Sequence, residues 1–387
     1  MLNFINNILK NINFTIRHFD YYIIAMFGAL SFIGLLMLFD ITTSSSSMVF
    51  VQKQLFWLIF SIIAIILGIS IDLKKIKPYI PIIVLGVIVL LLLVLFFGNF
   101  VNGARRSLSL GPINIQPSLL ARIALIFYFA RFLDKNRNYI YKSKPRVFFT
   151  KFSPLILLTV ITYILILMEK HLSTLIISSI TLLTLLWVAN IKKRTIFLIV
   201  LVGFVGVFSI LAFGPDYRNK RMEIYQKYSL FHRLLGMADY QIETDELQVR
   251  ESLSALSSGG FTGKGSMGGM AKYNFLPEAK TDYIFSIIGE QYGFLGSLII
   301  FSLYIFLFYR TIFISEKNRN FYLQLAGIGL SLNIFVNVLV NIGVAMSALP
   351  STGVTLPFIS YGGTSFVINS FSIGLLMNIS ARSRYYE

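Results

Sequence analysis

Residues 79–97 read YIPIIVLGVIVLLLLVLFF, nineteen positions without a charged or amide side chain. A helix rises about 1.5 Å per residue, so roughly 20 apolar residues cross the hydrocarbon core of a bilayer. The run offers no polar face, and as a helix it must be covered on all sides by lipid or protein. Comparable blocks recur on both sides of it: Tyr21–Phe39, Gln54–Ile71, Leu119–Leu133, Phe152–Met168, Leu172–Asn190, Thr195–Phe213, Tyr283–Tyr309, Tyr322–Ala348 and Leu356–Ile379. The first is too long for a signal-peptide core and has no cleavage pattern, so it counts as a span. The fourth is short and is expected to be partly buried by its neighbours. Composition agrees: 56% of the 387 residues are hydrophobic and 13% are charged, against about 25% charged in soluble domains. The expected fold is an all-α polytopic membrane protein of ten transmembrane helices, forming a single domain over residues 1–387.

The basic residues orient it. Alternate connections carry Lys10 and Arg17, then Lys74, Lys75 and Lys77, then Lys135 through Lys151, Lys192–Arg194, Arg310 to Arg319, and Arg382 with Arg384. The opposite set holds little beyond Lys53 and Lys170. Excess Lys and Arg in short loops marks the cytoplasmic side, so both termini are expected there. Two places break the pattern. Arg105 and Arg106 lie in a short outside loop, where cations opposed to the topology rule are candidates for an anionic ligand. The long extracytoplasmic segment Gly214–Thr281 mixes nine Lys or Arg with eight Asp or Glu. The formal charge of +17 is dispersed in short clusters, which speaks against nucleic-acid binding, and the absence of cysteine excludes disulfides and thiol chemistry.

Three stretches carry candidate chemistry. In Leu276-Pro277-Glu278-Ala279-Lys280-Thr281-Asp282-Tyr283, running into the eighth block, Asp282 is expected in the first helical turn. There Thr281 or Asp282 would serve as an ordinary N-cap. Asp282, Ser286 and Glu290 also recur at four-residue spacing on one face, with Glu290 roughly 12 Å deeper. A carboxylate at that depth needs a cavity or a partner. The glycine-rich run Gly259–Gly265, followed by Gly268-Gly269, lacks the spacing of a nucleotide-binding loop but offers a possible backbone nest for a diphosphate, with a flexible loop as the alternative. Leu356-Pro357-Phe358-Ile359-Ser360-Tyr361-Gly362-Gly363 opens the tenth block with helix breakers, tolerated at membrane depth where they line a cavity or pack closely. His18, His171 and His232 show no metal-ligand spacing.

Ordered matches along nearly the whole chain resemble one family, the SEDS proteins, ten-span relatives of RodA and FtsW. They are Asn102-Gly103-Ala104-Arg105-Arg106 with Leu110-Gly111-Pro112; Gln116-Pro117-Ser118; Tyr240-Gln241; Ser257–Gly260 with Gly263-Lys264-Gly265; Leu276-Pro277-Glu278 with Thr281–Phe285 and Ile288-Gly289-Glu290; and Asn341-Ile342-Gly343 through Leu349-Pro350 to Leu356–Gly363. Asp20 and the Asn-Gly-Ala-Arg-Arg wording resemble the FtsW branch more than RodA. The resemblance implies a peptidoglycan glycosyltransferase of the bacterial cytoplasmic membrane that polymerises lipid II, with Asp282 as general base. It implies a class B penicillin-binding protein and divisome or elongasome membrane proteins as partners. Arg105, Arg106, Lys264 and Lys272 are the expected cations for the diphosphate. Gln116, Glu278, Glu290, Ser360, Tyr361, Gly362 and Gly363 complete the expected substrate-binding set. No cofactor is expected, and a divalent-cation requirement is left open.

The sequence departs from the family pattern at Ser107, where a Trp normally follows the Arg pair, and in two motifs. The usual Gln-Pro-Ser-Glu-Leu-Ala-Lys reads Gln116-Pro117-Ser118-Leu119-Leu120-Ala121-Arg122, and Gln-Pro-Asp-Leu-Gly-Thr reads Glu169-Lys170-His171-Leu172-Ser173-Thr174. Two acidic positions are lost, and Glu169 is a candidate to restore one charge locally. A lipid II flippase or a non-catalytic scaffold for the penicillin-binding protein are the competing readings. The carboxylate of Asp282 separates them, since a polymerase alone requires it.

Overall fold

The computed structural model describes residues 12–43, 48–101, 104–110, 113–140, 149–212, 223–225, 227–229, 247–265, 268–269 and 278–383. A helix stands at each of the ten apolar blocks: α1 (Tyr21–Thr43), α2 (Val49–Ser70), α3 (Ile80–Phe97), α4 (Pro117–Lys135), α5 (Ser153–Met168), α6 (Leu172–Val188), α7 (Lys193–Ala212), α9 (Ile284–Glu316), α10 (Phe321–Ala345) and α11 (Gly363–Ala381). One further helix, α8 (Leu247–Gly259), falls within the long connection before α9. Among the described residues six helices are long and apolar enough to cross a membrane, namely α1, α2, α3 with its leading turn, α9, α10 and α11. This is a multi-pass membrane protein. The start of the last block differs from expectation: residues 351–362 are not regular helix, and α11 begins only at Gly363.

Polarity decides which helices sit inside. The most apolar windows of α10 and α11 are 72% and 78% buried by protein, against 28% for α2, for α3 and for α9. The inner pair carries Asn333, Asn337 and Asn341 on α10 and Asn369 and Asn378 on α11, all buried. An amide facing hydrocarbon has no partner, so these helices are drawn inward, while the uniformly apolar α3 faces outward at little cost. Helix α4, longer at 19 residues than its apolar block, is likewise buried over most of its length and carries the buried Arg122. Small residues allow the closest crossing, where α11 lies on α2: a Cβ on Gly374 would stand 2.3 Å from the Ile65 carbonyl oxygen.

Two short antiparallel hairpins join α3 to α4. Strand β1 (Phe100–Val101) pairs with β2 (Ala104–Arg105), and β3 (Leu108–Leu110) pairs with β4 (Ile113–Ile115). The Thr364 hydroxyl donates to the Asn114 carbonyl, fastening the second hairpin to the start of α11. At the opposite end of the bundle Arg310 binds the fully buried Asp20 carboxylate through Nη2 at 2.5 Å and Nε at 2.8 Å, while the Asp20 N–H donates to Ser380. That clasp draws the start of α1 to the ends of α9 and α11.

Candidate functional site

Asp282 lies just outside α9. The helix starts at Ile284 with Tyr283 as its N-cap residue, and no side chain caps it, so the expected capping role of Thr281 or Asp282 is not realised. The Glu278 carbonyl instead accepts from the N–H groups of Thr281, Asp282 and Tyr283 at 3.1, 3.1 and 3.3 Å, closing a tight turn ahead of the helix. Glu278 itself has φ of 54° and an exposed side chain whose carboxylate accepts from the Thr281 hydroxyl at 2.8 Å. Three carbonyls of this turn are bound from two other parts of the chain. Lys280 accepts from the Tyr361 N–H at 2.9 Å, Thr281 from the Ser360 hydroxyl at 2.5 Å, and Asp282 from the Asn341 amide at 2.8 Å. A turn held at three consecutive carbonyls has little freedom, and the half-buried Asp282 inherits that rigidity.

The segment 351–362 supplies the facing wall. Gly353 adopts φ of +72°, a left-handed conformation that a side chain disfavours, and an added Cβ there would sit 3.6 Å from an Asp282 carboxylate oxygen. Asn341 also donates to the Val354 carbonyl at 2.6 Å, and Ser173 of α6 donates to the Thr352 carbonyl at 2.8 Å. Ser360 accepts from the Leu356 N–H at 2.8 Å while it donates to Thr281, so it joins the two turns. Tyr361 packs edge-on against Phe50, whose ring lies 4.2 Å from the Lys280 ammonium. At Gly363 a Cβ would meet the Trp57 indole at 2.5 Å, and at Gly362 it would meet Thr355 at 3.1 Å. Ser360 and Tyr361 thus bind the Asp282 turn directly, while Gly362 and Gly363 pack against Thr355 and Trp57.

Asp282, Ser286 and Glu290 do not form one stripe leading down from the surface. Ser286 and Glu290 face α8: the Ser286 hydroxyl is 2.6 Å from that of Ser252, and Ser258 lies 3.5 Å from the Glu290 carboxylate. Lys264 reaches the same carboxylate at 3.9 Å. The glycine-rich run serves this contact. Helix α9 is broken at Gly293, with φ of 65° and ψ of −161°, which frees carbonyls that the loop recovers. Lys264 N–H donates to Glu290, Gly265 N–H to Gln291, and in return the N–H groups of Phe294 and Leu295 bind the Gly260 and Phe261 carbonyls. These backbone donors are engaged with protein, so the expected diphosphate nest is replaced by a splice between loop and broken helix.

Arg105 and Arg106 cap helix ends. Arg105 Nη1 donates to the carbonyls of Leu95 and Phe96 in the last turn of α3, at 3.1 and 2.7 Å. Arg106 donates to those of Glu169 and Lys170 after α5, at 3.4 and 2.9 Å. Cations at carboxyl ends of helices are favoured by the dipole. Gln116, at the start of α4, lies 3.1 Å from His171 Nδ1, as does Ser118, with Thr174 at 2.9 Å. Burial holds the His171 pKa down to about 3, helped by the guanidinium groups of Arg106 and Arg122, so the ring is neutral. Glu169 in the same turn is fully buried, and burial pushes its pKa up to about 8 despite Ser118 and Arg106. Lys272 lies outside the described residues.

Sequence reasoning named Asn341 only within a matching motif, not as a site residue, and passed over Asn337. Their signal was an amide every fourth residue inside an apolar helix, a pattern that buries amides only where they have partners.

The FTSW_RODA_SPOVE family model, described as cell cycle proteins, matches residues 17–385. The chain belongs to this family. Among its curated relatives, "Probable peptidoglycan glycosyltransferase FtsW" of Geobacter metallireducens is 30% identical over 97% of this chain and 99% of its own length. The protein of the same name from Enterococcus hirae is 32% identical over 95% and 93%. The fold agrees with solved members. A chain from a peptidoglycan synthase complex described as coordinating polymerization and crosslinking superposes with a TM-score of 0.75 at 22% identity, covering 95% of this chain and 99% of that one. The rod shape determining protein RodA of Thermus thermophilus gives 0.68 at 22% identity, covering 95% and 98%. Family membership thus rests on sequence over almost the full length, and the architecture of this FtsW- and RodA-like chain rests on both.

Proposed function

We propose that this chain is a peptidoglycan glycosyltransferase that polymerises lipid II at the outer face of the bacterial cytoplasmic membrane. The observation that carries the reading is the Asp282 turn: a carboxylate beside Gly353, with the carbonyls of residues 280–282 each tied to a separate donor. Family membership and the names of its relatives support the reaction class. Ten spans with both termini in the cytoplasm put the hairpin end, and Asp282 with it, on the outside, in accord with the basic residues of the alternate loops.

The acceptor's sugar 4-hydroxyl attacks the anomeric carbon of the donor. Asp282 takes the hydroxyl proton as the new glycosidic bond forms, and the bond to the diphosphate breaks with its electron pair leaving on undecaprenyl diphosphate. Developing negative charge is met by cations of the outer face. Arg105 uses one nitrogen on two helix carbonyls and is an exposed residue, which suits it to this task. Arg106, Lys264, Lys272 and the residues Gln116 and Glu278 make up the rest of the proposed substrate surface, whereas Glu290 is buried against α8 and serves the splice instead. A class B penicillin-binding protein is the proposed partner that cross-links the product, in division or elongation.

Proteoliposomes holding the chain, its cognate class B penicillin-binding protein and labelled lipid II test the reading. The expected result is a ladder of glycan strands that a muramidase digests. Movement of label between leaflets without strands indicates a flippase, and neither activity with the partner still bound indicates a scaffold. Either overturns the proposal.

A further inference from the structure

We infer that Asn341 is a positioning residue for the Asp282 carboxylate, setting the gap between it and the Gly353 wall. Its two amide protons are both committed: Nδ2 donates to the Asp282 carbonyl at 2.8 Å and to the Val354 carbonyl at 2.6 Å. One fully buried side chain thus spans the two backbone segments that face each other across the carboxylate. Among the described residues no other donor does both. Tyr361 and Ser360 fasten the turn through Lys280 and Thr281, two residues and one residue earlier.

The amide is the suitable group at this position. Two carbonyls converge on it, so an aspartate would set negative charge against them, and an aliphatic residue would leave both part-buried acceptors without this donor. Its own Oδ1 accepts no hydrogen bond among the described residues, consistent with a side chain oriented by its donors alone. A second amide one turn earlier steadies the same segment. Asn337 donates to the Thr355 carbonyl at 3.4 Å and accepts from the buried Arg122 guanidinium at 3.4 Å, which keeps its donor side toward that segment. Helix α10 therefore carries a ladder of amides that fixes residues 353–355, with Asn341 as the rung that also holds Asp282.

The inference rests on the reading of Asp282 as the base, and the test separates the two. Wild type, Asn341→Ala, Asn341→Ser and Asp282→Asn are each assayed with the partner protein over a range of lipid II concentration and pH. Asn341→Ala is expected to lower the rate at saturating lipid II by about 10–100-fold, the effect of an ångström-scale misplacement. KM should stay near that of wild type, and the acid limb of the pH–rate profile should shift as the carboxylate changes surroundings. Asn341→Ser, which retains one donor, should recover part of the rate, and it carries the comparison if the alanine variant does not accumulate. A variant at full speed, or one whose rate falls only in step with thermal stability at an unmoved pH profile, overturns the positioning role. If Asp282→Asn still polymerises, the functional reading itself falls; if it is dead beside a fully active Asn341→Ala, only the positioning inference falls.

Discussion

At the scale of single residues, the turn between α5 and α6 shows how this chain accommodates its departures from the family pattern. Glu169 was the candidate to restore a lost acidic charge near the outer face. Its carboxyl is instead fully buried and shifted up to about 8, so near neutrality it is largely uncharged. A folded pKa raised above the unfolded value of about 4.5 means that the native state binds the proton more tightly. Stability from this group is complete below pH 4.5 and is lost as pH rises through 8. His171 works in the opposite direction: its folded pKa near 3 lies below the ordinary 6.5, so stability is complete above 6.5 and is lost as pH falls toward 3. Glu169→Gln should therefore flatten the decline in melting temperature between pH 5 and 8.5 and leave the acid-side decline in place. Equal alkaline declines in wild type and variant would show that Glu169 is not buried as the acid.

At the scale of elements, the splice between α8, the glycine-rich loop and the broken α9 is the most specific piece of packing. A Cβ on Gly259 would lie 1.9 Å from the Gly289 carbonyl oxygen, and one on Gly263 would lie 2.2 Å from that of Gln291. Gly259→Ala should thus push α8 off α9 and cost roughly 1–3 kcal/mol, read as a lower melting temperature in detergent. Gly260→Ala, at a position with φ of +56° but open space, should cost only about 1 kcal/mol. Similar losses in both would contradict the splice. None of this was legible in the sequence. The glycines there announce a loop, but their purpose depends on carbonyls released at Gly293, some thirty residues away, where nothing in Gln291-Tyr292-Gly293-Phe294 marks a break. The start of α9 was misplaced for a related reason: the Glu278 carbonyl gathers the N–H groups that a cap would have taken, and that turn is held by residues 341, 360 and 361. The apolar blocks, by contrast, were readable from local composition, because lipid imposes the same demand on every residue of a span.

At the scale of the whole molecule, the arrangement is an inner group of polar-bearing helices, α4, α10 and α11, ringed by more apolar ones, with Asp282 at the hairpin end and the Asp20–Arg310 clasp at the other. The absence of cysteine makes its orientation directly testable, since any introduced thiol is unique. A cysteine at exposed Glu278 should react with an impermeant maleimide on intact cells once the outer envelope is permeabilised. One at Lys317, following α9, should react only after the inner membrane is opened. The reverse labelling would invert the topology and move Asp282 to the cytoplasmic face, away from any polymer outside.

As the proposed base, Asp282 must act through its carboxylate and not merely through the shape of its turn. The most direct measurement compares glycan strands made from lipid II by wild type and Asp282→Asn, each purified with its class B penicillin-binding protein and matched for melting temperature. The carbonyl contacts of residues 280–282 survive this substitution, so the fold should too, whereas loss of the base should slow polymerisation by about 10²–10⁴-fold. Strands at the wild-type rate from the folded asparagine variant would contradict the account.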